Sequence, residues 1–203
     1  MNTFKWLLKR EYWENRGGFF WAPIVVGGIA VLFSTVAVVA GALFARENRD
    51  NIQLEGSPAE LAEHSAQLGG LGDVLLASGV ITALLVMAFV VFFYALGSLY
   101  DDRRDRSILF WKSMPITDAQ MVMSKAAWAV VLAPLGAVAI GLMISVVLWL
   151  VVLLGTAASG VPGATSVMTA AHPLKVLATL FAALPVQIIW SLPTIGWLMF
   201  CSA

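Results

Sequence analysis

Polar and apolar positions fall in long blocks along this chain. Four blocks are almost wholly apolar: residues 19–44, 74–99, 125–154 and 174–201. Each exceeds the ~20 residues that carry a helix across a ~30 Å hydrocarbon core. Lipid offers no partner to backbone N–H and C=O groups, so a helix, which satisfies them internally, is the natural spanning form. The blocks lack the strict alternation of a membrane barrel strand. The pattern predicts an all-α fold, a polytopic membrane helical bundle. It has four transmembrane helices, an amino-terminal interfacial helix over residues 1–18 and a cytoplasmic helical loop over residues 100–124. Residues 45–73 and 155–173 become the outside loops, and 1–203 forms a single transmembrane domain.

Composition agrees with that reading. The chain has 203 residues, 60% of them hydrophobic and 12% charged, with mean hydropathy +0.88. Soluble domains carry roughly 25% charged residues, so too little polar surface exists here to cover a water-soluble globule. Net charge is zero, and only the distribution of charge is informative. Lys5, Lys9, Arg10 and Arg16 precede the first span, and Arg103, Arg104, Arg106, Lys112 and Lys125 lie between the second and third. Arg46, Arg49 and Lys175 fall on the other side. Nine against three places the amino terminus and the second loop in the cytoplasm, and four crossings return the carboxyl terminus there. The expected arrangement is multi-pass, with both termini inside.

The first span follows a basic stretch, as a signal peptide would, and Ala40-Gly41-Ala42 resembles a cleavage site. The apolar run is about twice the length of an ordinary signal core, so a retained helix is expected. The single cysteine, Cys201, permits no disulfide within the chain. His64 and His172 lie in separate expected loops.

The first outside loop reads "RENRDNIQLEGSPAELAEHSAQLGGLGD". Ser57-Pro58 with Glu60 marks a helix start, and Gly69-Gly70 marks its end. The second outside loop is small and rich in glycine. At the amino terminus, "MNTFKWLLKREYWENRGGFF" predicts a helix that ends at Gly17-Gly18. Phe4, Leu7, Leu8 and Tyr12 share one side, and Trp6 and Trp13 cluster on another. A helix at headgroup depth suits this pattern; a cytoplasmic extension of the first span is the alternative.

The densest charge cluster, Asp101 to Arg106, is followed at once by Ile108, Leu109, Phe110 and Trp111. One reading is a solvated loop with pairs such as Asp102 and Arg106 at i,i+4. That leaves the apolar run unexplained. Either the run folds into the bilayer interface or it meets a protein, where aromatic and arginine anchors inside a polar rim are usual. Thr117 then reads as an N-cap, with Gln120 completing a capping box and Ile116 and Met121 a hydrophobic staple. A helix starts near Asp118 and continues into the third span. Joined to a docking segment, it would act as a lever.

The tract "LYDDRRDRSILFWKSMPITDAQMVMSK" resembles the cytoplasmic loop of ABC-2 type permeases, membrane subunits of ABC transporters. "LLKREYWENR" and "PTIGWLMFCSA" are also similar to that family. The resemblance implies a coupling helix resting on a cytoplasmic ATPase subunit that hydrolyses ATP. Asp101, Asp102, Arg103, Arg104, Arg106, Phe110, Trp111 and Lys112 are then the coupling candidates, and a second permease copy or a related permease is an expected partner. Family members usually have six membrane helices, whereas four are counted here. The resemblance therefore implies a carboxyl-terminally incomplete version.

Inside the membrane, Ala129, Ala133, Ala137, Gly141 and Ser145 recur every four residues, a ridge that lets helix backbones approach. Its partner lies either within the chain or on a second copy. Pro134 is expected to bend the third span. Pro185 and Pro193 are expected to interrupt the fourth. Between them, Gln187 and Ser191 either line a pathway or bond a neighbouring helix. No acidic or basic residue lies deep in a span, which argues against a carrier driven by an intramembrane ion pair.

The chain has no G-x-x-x-x-G-K-[ST] loop and no H-E-x-x-H cluster. It is expected to be a non-enzymatic permease subunit that exports a substrate using ATP hydrolysed by a separate protein. It should carry no cofactor or metal of its own and bind lipid but no nucleic acid. A non-transporting anchor that recruits a cytoplasmic partner through the same loop is the alternative. An intramembrane enzyme is disfavoured, because the metal cluster is missing from the sequence and His172, at a span edge, has no obvious serine companion.

Overall fold

The computed structural model describes residues 3–47, 58–104, 117–159 and 166–203. Among these there is no strand. The helices are α1 (Thr3–Glu14), α2 (Ala22–Glu47), α3 (Pro58–Arg104), α4 (Asp118–Ala127), α5 (Ala133–Ser159), the short α6 (Ser166–Thr169) and α7 (Pro173–Cys201). One π-helical turn, Gly17–Trp21, joins α1 to α2, and another, Trp128–Leu132, joins α4 to α5. Four helical runs are long and apolar enough to cross a membrane: Gly17–Glu47, Ser65–Arg104, Asp118–Ser159 and Pro173–Cys201. The fold is an all-α bundle of multi-pass membrane type.

α3 and α5 form the central pair, with α2 against both and α7 against α3. The small-residue ridge explains why the central pair sits so close. Ala129, Ala133, Ala137, Gly141 and Ser145 are all buried. A Cβ on Gly141 would lie 2.6 Å from Val80 Cα, and one on Gly79 would lie 2.6 Å from the Ser145 backbone nitrogen. Backbones this close fit only where side chains are missing. The ridge's partner is thus α3 of the same chain.

Three local signals act differently in the fold. α1 ends at Glu14, just before Gly17-Gly18, but the glycines do not break the chain's helical path: Asn15 N–H donates to Glu11 O at 3.1 Å and Phe19 N–H to Asn15 O at 3.0 Å, so helical bonding runs into the π-turn. Gly69-Gly70 does not end α3, which continues from the outside segment through the span to Arg104. Those glycines serve a close approach instead. A Cβ on Gly69 would lie 2.4 Å from Ala170 O, and one on Gly72 would lie 2.3 Å from Val167 O. Pro185 and Pro193 lie inside a continuous α7 rather than breaking it. A membrane helix tolerates proline where the rest of its ladder is kept. Pro134 follows the Trp128–Leu132 π-turn by two residues. Proline lacks an N–H and crowds the carbonyl four residues back, and a widened turn accommodates both.

Candidate functional site

The end of the bundle that carries α1 holds a buried cluster of charge. It is assembled from three stretches far apart in sequence. α1 presents Leu7 and Glu11, four residues apart and hence on one face; they are buried at 4% and 2% exposure. Its opposite side leaves Trp6 and Trp13 exposed. α3 contributes Tyr94 and Asp102, two turns apart on one face. α4 starts at the Thr117 cap: Gln120 N–H donates to Thr117 Oγ1, and Thr117 N–H donates back to Gln120 Oε1. Two turns on, it delivers Lys125.

Lys125 Nζ lies 3.1 Å from Glu11 Oε1 and 3.3 Å from Asp102 Oδ2, with its side chain 5% exposed. Arg10 Nη2 reaches Asp102 Oδ1 at 3.3 Å, and Arg10 Nε bonds Glu14. Tyr94 donates its hydroxyl proton to Glu11 Oε2 at 2.7 Å. Charges alternate along this chain, so each buried ion meets an opposite one. A buried ion without such partners costs several kcal/mol. Burial works against the charge of Arg10, but the hydrogen bond to Glu14 and the nearby carboxylates of Glu14, Asp102 and Glu11 outweigh it. The guanidinium pKa is pushed above its ordinary value.

Aromatic rings close the cluster toward the apolar core. Trp128 Nε1–H donates to Leu8 O at 2.6 Å. Its ring stacks on Phe19, centroids 5.4 Å apart, and on Tyr12 at 5.8 Å. Phe19 also meets Tyr94 edge-on at 5.2 Å. Phe19 and Trp128 belong to the two π-turns, so both widened turns meet at this joint. At the same end, Ser202 Oγ accepts from the backbone N–H groups of Leu99 and Tyr100, each at 3.1 Å, holding the end of α7 to α3.

The coupling candidates sort into two groups. Asp101, Arg103 and Arg104 are exposed on the last turn of α3, while Asp102 turns inward to Lys125 and Arg10. Arg106, Phe110, Trp111 and Lys112 lie outside the described residues. Gln187 and Ser191 line a cleft of about 230 Å³ among Met87, Phe92 and Pro134; Ser191 Oγ donates to Ile188 O at 2.9 Å. Glu11, Tyr94, Lys125 and Arg10 were not distinguished by sequence as a group. Two signals point to them: Lys125 interrupts an apolar run at its start, and Glu11 is an acid inside a basic, aromatic helix. Among the described residues no group of three or more His, Cys, Asp or Glu side chains is placed to hold a metal.

No protein-family model, curated protein or solved structure matches this chain.

Proposed function

We propose that the chain is the membrane permease subunit of an ATP-driven ABC-type exporter, with a separate cytoplasmic ATPase as its motor. In this reading the α1 end faces the cytoplasm of a bacterial inner membrane, and residues 100–124 receive the motor. The observation that carries it is the Asp102–Lys125–Glu11 bridge. Asp102 stands where the loop leaves α3, and Lys125 stands where the chain re-enters the span. Both ends of the loop are pinned to each other and to α1. A force applied to the loop therefore moves α3, α5 and α1 as a unit, as an input lever requires. The likeness of residues 99–125 to ABC-2 coupling loops supports the same assignment.

The test is co-purification of the tagged chain with an ATPase, then ATP-dependent transport in proteoliposomes. Trp111→Ala should lower ATPase retention. Lys125→Met should leave ATPase binding intact while uncoupling hydrolysis from transport. A complex that forms without any ATP-dependent transport would favour the anchor reading. Absence of any ATPase partner would end the proposal.

A further inference from the structure

A cavity of about 760 Å³ opens beside the charged joint, between α1, the first π-turn and α3. It is graded in polarity. One end is walled by Glu14, Asp101 and Asp102, the other by Val90 and Phe93. Val90 and Asp101 are eleven positions apart on one helix, or about 16 Å along its axis. Phe93 is exposed on the outer surface of the span, so the apolar end borders the lipid-facing side.

The charged end is acidic. Three carboxylates and two cations, Arg10 and Lys125, line it. Both cations are already held by carboxylates. Among the described residues Asp101 makes no ion pair. Its carboxylate folds back along the helix, since a Cβ on Gly97 would lie 2.9 Å from Asp101 Oδ2. One turn earlier, Ser98 also lines the cavity. It is only 7% exposed, and among the described residues its hydroxyl has no hydrogen-bond partner. Buried hydroxyls are normally paired, so this one calls for a ligand. Ser98 and Asp101 are three residues apart and share a helix face.

We infer that this cavity binds the primary-ammonium end of an amphiphile, with Asp101 and Ser98 as its acceptors. A primary ammonium carries three donors and no acceptor, which suits a carboxylate and a hydroxyl oxygen side by side. The apolar end between Val90 and Phe93 takes the hydrocarbon that follows the headgroup. The site does not depend on the transporter reading. The same ammonium chemistry occurs in an aminophospholipid headgroup and in a soluble amine.

The purified chain in detergent is titrated with phosphatidylethanolamine, phosphatidylcholine, phosphatidylglycerol and soluble phosphoethanolamine, with retention read by native mass spectrometry. Phosphatidylethanolamine should bind about tenfold more tightly than the choline and glycerol lipids, the scale of one charge-assisted hydrogen bond. Asp101→Asn should abolish the preference and Ser98→Ala should reduce it. Asp118→Asn, an exposed carboxylate outside the cavity, should not change it. Competition by phosphoethanolamine at equal concentration would assign the site to soluble amines, and its failure to compete would assign it to the lipid. Equal retention of all three lipids by the unaltered chain would overturn the inference. So would a preference that survives Asp101→Asn.

Discussion

The α3–α5 crossing in the middle of the bundle and the α1–α3–α4 joint at one end hold their helices together by opposite means. At the crossing, Gly79, Val80, Ala83, Ala137 and Gly141 bring backbones into direct contact without any charge. At the joint, the side chains of the buried Glu11 and Lys125 and the half-buried Asp102 and Arg10 link the helices as ion pairs. Dispersion contacts at the crossing are many, weak and indifferent to exact partner. They fix distance but carry little information. The ionic joint depends on each member, because removing one strands the charge of another. A region of the first kind suits a permanent hinge, and one of the second kind suits a contact whose state matters.

Substitutions should separate the two regions. Lys125→Met has the largest expected effect, because it leaves Glu11 and Asp102 facing each other at a buried site. The loss should be ~3–5 kcal/mol, the usual cost of breaking one partner out of a buried pair. Thermal unfolding in detergent reads it. Adding Glu11→Gln should recover part of that loss, and strict additivity of the two changes would show that no such joint exists.

Gly141→Leu probes the crossing. Its new Cβ would press on Val80 Cα at 2.6 Å and on Ala83 Cβ at 3.1 Å. Backbone cannot yield as a side-chain tip can, so a cost of about 3 kcal/mol is expected, the upper range for overpacking. No companion substitution of charge should rescue it. A neutral outcome in the same unfolding assay would mean that α3 and α5 are not in backbone contact.

Tyr94→Phe is the mildest change. It keeps the ring against Phe19 and removes only the 2.7 Å hydrogen bond to Glu11. Glu11 still has Lys125, so the loss should be about 1–2 kcal/mol. A loss as large as that of Lys125→Met would move the centre of the joint from the lysine to the tyrosine.

Legibility in the sequence followed the range of each interaction. The Thr117–Gln120 capping box spans three residues, and its reciprocal bonds follow the spacing. The apolar spans were equally plain. The small-residue ridge showed its period but not its partner, because Gly79 and Val80 are more than fifty positions from Gly141. Glycine was the main source of error. Gly69 reads locally as a helix stop, yet its missing Cβ admits Ala170, about a hundred residues later. Stop and close approach look the same until the neighbour is known. In the sequence Asp102 reads as part of a charge run, with Arg106 as its local partner. Its recorded ion partners, Lys125 and Arg10, come from two other helices.

Hydropathy alone is enough to read an all-α bundle whose described residues hold four helices long and apolar enough to cross a membrane. Hydropathy and backbone bonding in lipid are properties of each segment alone. Residue spacing also sets where α4 begins. Only packing brings Glu11, Tyr94, Asp102 and Lys125 to one site and opens beside them a cavity where the Ser98 hydroxyl has no partner among the described residues. A charge can be buried only where opposite charges converge on it, and that convergence exists only once α1, α3 and α4 are packed together.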